Sequence, residues 1–238
     1  MRTSDGDTVW SMRRLRWLAI LIRHPSAALL LVQLAGLLLY PFIEQTRAAR
    51  ALFGAFGVVV LILAISMVQR TRGRGWISVA IAVPAVVCNA MGLMLDMPAL
   101  KPWWAALEAL FYFYAAGCLI AYMLADRRAT TDEMFAAGAT FTLLVWGFTY
   151  LFVLCQVLQP GCFAAAVNPA APRSWTELLF LSFALMSSTG IGDVIPITVH
   201  ARALACLEMF VGVMYIALVV SRLIGLSVSR EDERELHR

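Results

Sequence analysis

The sequence predicts an all-α integral membrane protein, and three observations carry that class. Hydrophobic residues make up 61% of the 238 and charged residues only 14%, with a mean hydropathy of +0.79; a soluble domain is nearer half apolar and a quarter charged. The apolar residues gather into runs of about 20, the length a helix needs to cross a hydrocarbon core. The basic residues lie between these runs, so the net charge of +4 follows membrane topology and not nucleic-acid binding. No nucleotide-binding G-x-x-x-x-G-K-[ST] motif and no H-E-x-x-H zinc motif occurs. No enzymatic constellation and no cofactor are expected.

The elements follow in order. Residues 1–25 form a basic N-terminal segment, with Arg2, Arg13, Arg14, Arg16 and Arg23 around a short apolar patch. The patch is shorter than a good signal-peptide core, and the segment reads as an amphipathic stretch on the inner membrane surface. Pro25 suits the first position of the next helix. Spans are expected at about Ser26 to Ile43, Ala51 to Val68, Trp76 to Leu95, Pro102 to Leu124, Met134 to Leu158 and Ala203 to Leu226. Trp76, Trp103, Trp104 and Tyr150 sit near span ends, where aromatic belts form. A shorter apolar run, Trp175 to Met186, precedes the sixth span.

Charge fixes the orientation. With the N-terminus inside, only Arg47, Arg50, Lys101, Arg173 and Arg202 of the 19 basic residues face outward, as the positive-inside rule requires. The expectation is a multi-pass protein of the cell (inner) membrane with six spans and both termini cytoplasmic. Residues 26–128 would form a four-helix transmembrane domain and 129–226 a second unit. Residues 227–238 would form a short cytoplasmic tail, as a helix extension or a solvated end.

The second unit carries the chemistry. Ser174-Trp175-Thr176-Glu177 is a capping-box pattern, so a helix should start there and end near Ser187. That is too short to cross a bilayer, and the chain must turn back, which is tolerated only where backbone lines a cavity. Ser187-Ser188-Thr189-Gly190-Ile191-Gly192-Asp193 follows. Glycines at alternate positions reach φ values that other residues avoid, so successive carbonyls can point one way and replace the water shell of a cation.

This stretch resembles the TTVGYGD signature of the bacterial-type potassium-channel pore-loop family, and Asp193-Val194-Ile195-Pro196-Ile197-Thr198 resembles its GDxxPxT continuation. The resemblance covers about Thr176 to Leu226. It implies a pore domain over 129–226 with an outer helix, a re-entrant pore helix, a selectivity filter and an inner helix. K⁺ would be ligated at Ser188, Thr189, Gly190 and Ile191, with Gly192 completing the filter and Ser187, Asp193 and Glu208 supporting it. The family's threonine, valine and tyrosine are replaced by Ser188, Thr189 and Ile191. The tyrosine hydroxyl that braces the outer filter in many members is therefore missing.

Gly212 stands where many members carry an inner-helix hinge, and close packing of helices is an equal reading for it. Glu208 is an ionisable residue inside a span, a functional signal by default, with Ser182, Ser187 or Ser188 as candidate partners. Glu108 is the second buried acid, without an evident partner. His200 reads as a solvated loop histidine. Six spans with one pore loop match the voltage-gated layout, but the fourth span contains no Arg or Lys, so the arginine ladder of a voltage sensor is absent. Cys88, Cys118, Cys155 and Cys206 lie in spans as packing residues, and Cys162 is alone in an outer loop. The stretch Pro160 to Arg173 reads as a linker without a motif.

One pore loop cannot surround an ion, so the resemblance implies a homotetramer in membrane lipid that conducts K⁺ passively. A weakly selective monovalent cation channel shares the fold. A non-conducting membrane subunit or a transporter-like protein is the reading from another class.

Overall fold

The structure is a computed structural model that describes residues 25–43, 60, 62–66, 75–94, 98–125 and 131–236. Six helices run through these residues: α1 (Pro25–Ile43), α2 (Gly75–Met94), α3 (Lys101–Ala125), α4 (Thr131–Leu158), α5 (Trp175–Met186) and α6 (Val199–Leu236). A 3₁₀ turn, Pro98–Leu100, leads into α3, and a short helical piece at 62–66 falls inside the expected second span. The rest of that span and the basic N-terminal segment lie outside the described residues. Lys101–Leu124, Thr131–Leu158 and Val199–Arg222 are each long and apolar enough to cross a membrane. Helices α1 and α2 are apolar over shorter windows, Pro25–Leu39 and Trp76–Gly92. Where the expected spans are described, the helix bounds fall within a few residues of them. The exception is α6, which runs on through the expected tail.

Helix α4 is the hub. Its most extensive contact is with α3, and it also packs on α1, α5 and α6. It is apolar all round, as a helix surrounded by protein must be. The hydroxyls of Thr140, Thr142 and Thr149 donate to the carbonyls four residues back, at 2.7, 3.0 and 2.8 Å, so these polar groups are satisfied without leaving the helix. A run of aromatic rings links α3, α4 and α5. Tyr112 stacks on Tyr150 with centroids 5.6 Å apart, Trp104 meets Tyr150 edge-on at 5.3 Å, and Trp175 lies 6.3 Å from Trp146. Edge-on and offset geometries suit the ring quadrupoles.

The first turn of α4 makes two ties. Asp132 accepts from the backbone N–H and hydroxyl of Ser26 at the start of α1, at 3.3 and 2.9 Å. Its neighbour Glu133 pairs with Arg222 of α6 at 3.6 Å. Both carboxylates also sit at the positive end of the α4 dipole.

Between α4 and α5 the structure corrects the expectation of a plain linker. Phe163–Ala165 (β1) pairs antiparallel with Val194–Pro196 (β2), in the register Phe163 to Pro196 and Ala165 to Val194. Arg173 then folds inward and is only 5% exposed. Its five guanidinium N–H groups serve the carbonyls of Val167, Asn168 and Ala171 and the Glu177 carboxylate, the last at 3.0 Å. Gln156 of α4 holds the Arg173 backbone from both sides, accepting from its N–H at 2.8 Å and donating to its carbonyl at 2.9 Å. Cys162 is not an isolated loop thiol either. It is buried in a cluster with Cys155, Phe152 and Phe163, and burial, with Cys155 beside it, pushes its thiol up to about 12.

Arg173→Met strips the charge and five donors from this loop while keeping an apolar stem. Taking these donors from one Glu177 oxygen and from the carbonyls of Val167 and Ala171 is expected to cost about 2 kcal/mol, read as a lowered melting temperature in detergent with faster proteolysis between residues 160 and 173.

Candidate functional site

The site is built on α5. Ser174 caps it in extended backbone, accepting from the Glu177 N–H, while Glu177 Oε2 accepts from the Ser174 N–H at 2.6 Å. Both halves of the capping box are made as expected from the sequence. The other Glu177 oxygen takes Arg173, so one carboxylate joins the cap to the loop. The helix is twelve residues long. Leu178, Leu179, Leu181, Ser182, Ala184 and Met186 are buried against the rest of the chain.

At its other end, α5 gives way to the glycine-bearing stretch. The last four carbonyls of a helix have no donor within it. Here the stretch itself supplies donors: Ser187 N–H bonds Phe183 O at 3.0 Å and Ser188 N–H bonds Leu185 O at 3.1 Å. Thr189 and Gly190 N–H both reach Ala184 O, at 3.0 and 3.3 Å. The backbone then alternates, with Ser188, Gly190 and Gly192 left-handed at φ 59°, 62° and 74°. A β-carbon at Gly190 would meet nothing within 4 Å, so the backbone conformation and not lack of space calls for glycine there. Residues 187–193 are exposed along their whole length, and Ile191 is 62% exposed. Asp193 ends the stretch, exposed, just before β2.

Helix α6 returns along α5. Thr198 caps it, its hydroxyl accepting from the Ala201 N–H at 3.4 Å and donating to Gln159 at 3.1 Å. That gives the threonine of the Pro-x-Thr pattern a local role. His200 is exposed and its ring meets Gln159 at 3.1 Å. Glu208 is fully buried and reaches Ser182, in the middle of α5. Of the three serines considered from sequence, only Ser182 receives it; Ser187 turns to Phe183 and Thr189 instead. The Ser182 hydroxyl also contacts the Val145 carbonyl of α4 at 2.8 Å. One hydroxyl proton cannot serve both contacts. The chain closes when Glu208 carries a carboxyl proton for Ser182, which passes its own to Val145. Glu208 therefore joins α4, α5 and α6 one turn before the end of α5, its hydrogen bond going to Ser182 and not to residues 188–192.

Gly212 lies where α6 crosses the end of α5. A β-carbon there would collide with the Met186 carbonyl oxygen and stand 3.0 Å from the Met186 Cα. The helix runs unbroken through it, so of the two roles read from sequence the geometry supplies close packing. Tyr215, one turn on, donates to the Ala137 carbonyl of α4 at 2.6 Å. Glu108 is buried in α3, one carboxyl oxygen without a hydrogen-bond partner among the described residues. It stands apart from the α5–α6 site. Sequence reasoning missed Arg173, Gln156 and Tyr215; the i, i+4 spacing of Arg173 and Glu177 was the available signal for the first.

Residues 110–227 match the family model described as an ion channel. The match begins within α3 and takes in α4, α5, the glycine-bearing stretch and α6 as far as residue 227. The similarity is to an ion channel domain, and that family is one of channels rather than enzymes. No solved structure matches the chain.

Two substitutions test this packing. Glu208→Ala is expected to destabilise the protein by about 2 kcal/mol because Ser182 loses one of its two buried partners, whereas Glu208→Gln keeps a donor and stays near wild type in a thermal melt. Gly212→Ala forces α6 off Met186 and is expected to cost about 1–3 kcal/mol, as overpacked contacts do, read in the same melt.

Proposed function

We propose that the chain is one quarter of a homotetrameric K⁺ channel. In this reading α4 is the outer helix, α5 a re-entrant pore helix and α6 the inner helix of a six-span protein with both termini cytoplasmic. Carbonyls of Ser188, Thr189, Gly190 and Ile191, with the Ser188 hydroxyl, replace the water shell of K⁺ at successive sites, and ions advance by knock-on. Gly192 completes the filter, and Asp193, at its outer end, adds negative charge.

The observation that carries the reading is the alternation of left-handed residues at 188, 190 and 192 at the end of a twelve-residue capped helix. Alternating hand lines successive carbonyls along one side. The carboxyl end of α5 carries the negative pole of its dipole, suited to a cation. The exposure of this stretch supports assembly, because a single chain leaves it uncovered. So does α6, which buries only 22% of its most apolar window within the chain against 67% for α4. Leu207, Phe210, Val213 and Met214 stay exposed along it. A closed ring of identical chains covers such a face on every copy. A second reading, a weakly selective monovalent cation channel, is favoured by one feature: Ile191 brings no hydroxyl to the outer filter.

The test is ion flux from purified protein in liposomes, with K⁺ and Na⁺ gradients opposed. K⁺ flux without Na⁺ flux is expected from wild type, and equal fluxes favour the second reading. Gly190→Ala and Gly192→Ala force a β-carbon into the left-handed region and are expected to abolish the current or its K⁺ preference. Unchanged discrimination in both variants removes these residues from the filter.

A further inference from the structure

We infer that Thr189 is a specificity-determining residue, its side chain holding the inner half of the filter against the end of its own pore helix. The inference rests on the reading of 188–192 as a K⁺ filter.

A carbonyl filter discriminates only while its oxygens keep their spacing and number around the ion. Residues 188–192 have three left-handed positions and an exposed backbone, so something outside the stretch must hold them. The Thr189 hydroxyl reaches the Ala184 carbonyl at 3.3 Å, the same oxygen that takes the Thr189 and Gly190 N–H groups. It also lies 3.1 Å from the Ser187 hydroxyl, which reaches the Phe183 carbonyl at 2.6 Å. Two hydroxyl protons serve three contacts, and every arrangement ties the pair to at least one carbonyl of α5. When the hydroxyl and the N–H of Thr189 share the Ala184 acceptor, backbone and χ1 are set together, and a β-branched residue has little freedom to depart from that geometry. Beyond Gly190, the next hydrogen-bonded attachment among the described residues is the β1–β2 pairing that begins at Val194. Ile191 contributes no hydroxyl between the two. The hydroxyl at 189 thus braces, from inside the chain, a filter that has no hydroxyl at 191.

The consequence runs against a simple comparison with the pore-loop signature. Thr189→Val restores the residue usual at that place and keeps the shape of the side chain, yet removes the brace. In proteoliposomes the variant is expected to lose about tenfold in its K⁺ over Na⁺ flux ratio, the scale of one lost hydrogen bond. Thr189→Ser keeps the hydroxyl and is expected to stay within about twofold of wild type by the same measure. Ser187→Ala should fall between them, because the Ser187 N–H still holds Phe183. A Thr189→Val variant that carries no current is read by thermal melts in K⁺ against Na⁺, where about tenfold more K⁺ should be needed for the wild-type stabilisation. A selective wild type with an equally selective Thr189→Val overturns the inference and leaves the channel reading standing. A wild type that passes Na⁺ as freely as K⁺ overturns both.

Discussion

A helix of twelve residues cannot hold itself in place, and the second half of the chain depends on how α5 is fixed. Isolated helices of this length are marginal in water, and one whose end must present a fixed backbone needs restraint at both termini and along its side. At its start, Glu177 divides its two oxygens between the Ser174 cap and Arg173. In its middle, Ser182 joins Val145 and Glu208. At its end, Gly212 admits the backbone of Met186 against α6. The restraints come from the preceding loop, α4 and α6, so the position of the glycine-bearing stretch is decided by the assembly around α5 and not by the stretch alone.

The loop before α5 belongs to that assembly. Arg173 gathers three backbone carbonyls and an acid around its buried guanidinium. Gln156 anchors Arg173 to α4, and the β1–β2 ribbon ties the same loop to the residues beyond Asp193. The stretch 187–193 is therefore attached at both of its ends to one ordered unit. A buried guanidinium is costly unless every N–H is paired, and here the pairing is complete. That explains how a segment rich in Ala and Pro becomes structured.

Contacts between the helices before α4 and the second half stand at both ends of α4. The aromatic run from Trp104 and Tyr112 through Tyr150 to Trp175 reaches the start of α5. At the opposite end, Asp132 and Glu133 place α1 and α6 on adjacent residues of one helical turn. A shift of α1 and a shift of α6 would thus both act on the first turn of α4.

The class of protein, the helix positions and the capped start of α5 were legible in the sequence because each rests on local pattern: apolar run length, the Ser174–Glu177 spacing and the alternate glycines. Those signals involve neighbours in the chain, so one sequence suffices to read them. The partner of Glu208, the role of Gly212 and the knot around Arg173 were not legible in the same way. The first two depend on groups brought together from distant segments: Ser182 and Glu208 are 26 residues apart, and Ser182 and Val145 are 37 apart; the Arg173 knot takes in Gln156, 17 residues away. Sequence spacing alone states no preference among Ser182, Ser187 and Ser188, since all three fall within one short stretch of the chain. The sequence by itself determined a membrane-embedded helical chain with a glycine-bearing stretch between two apolar helices. Only the tertiary structure decided which side chains hold that stretch, because hydrogen bonds and close packing select partners by distance in space and not along the chain.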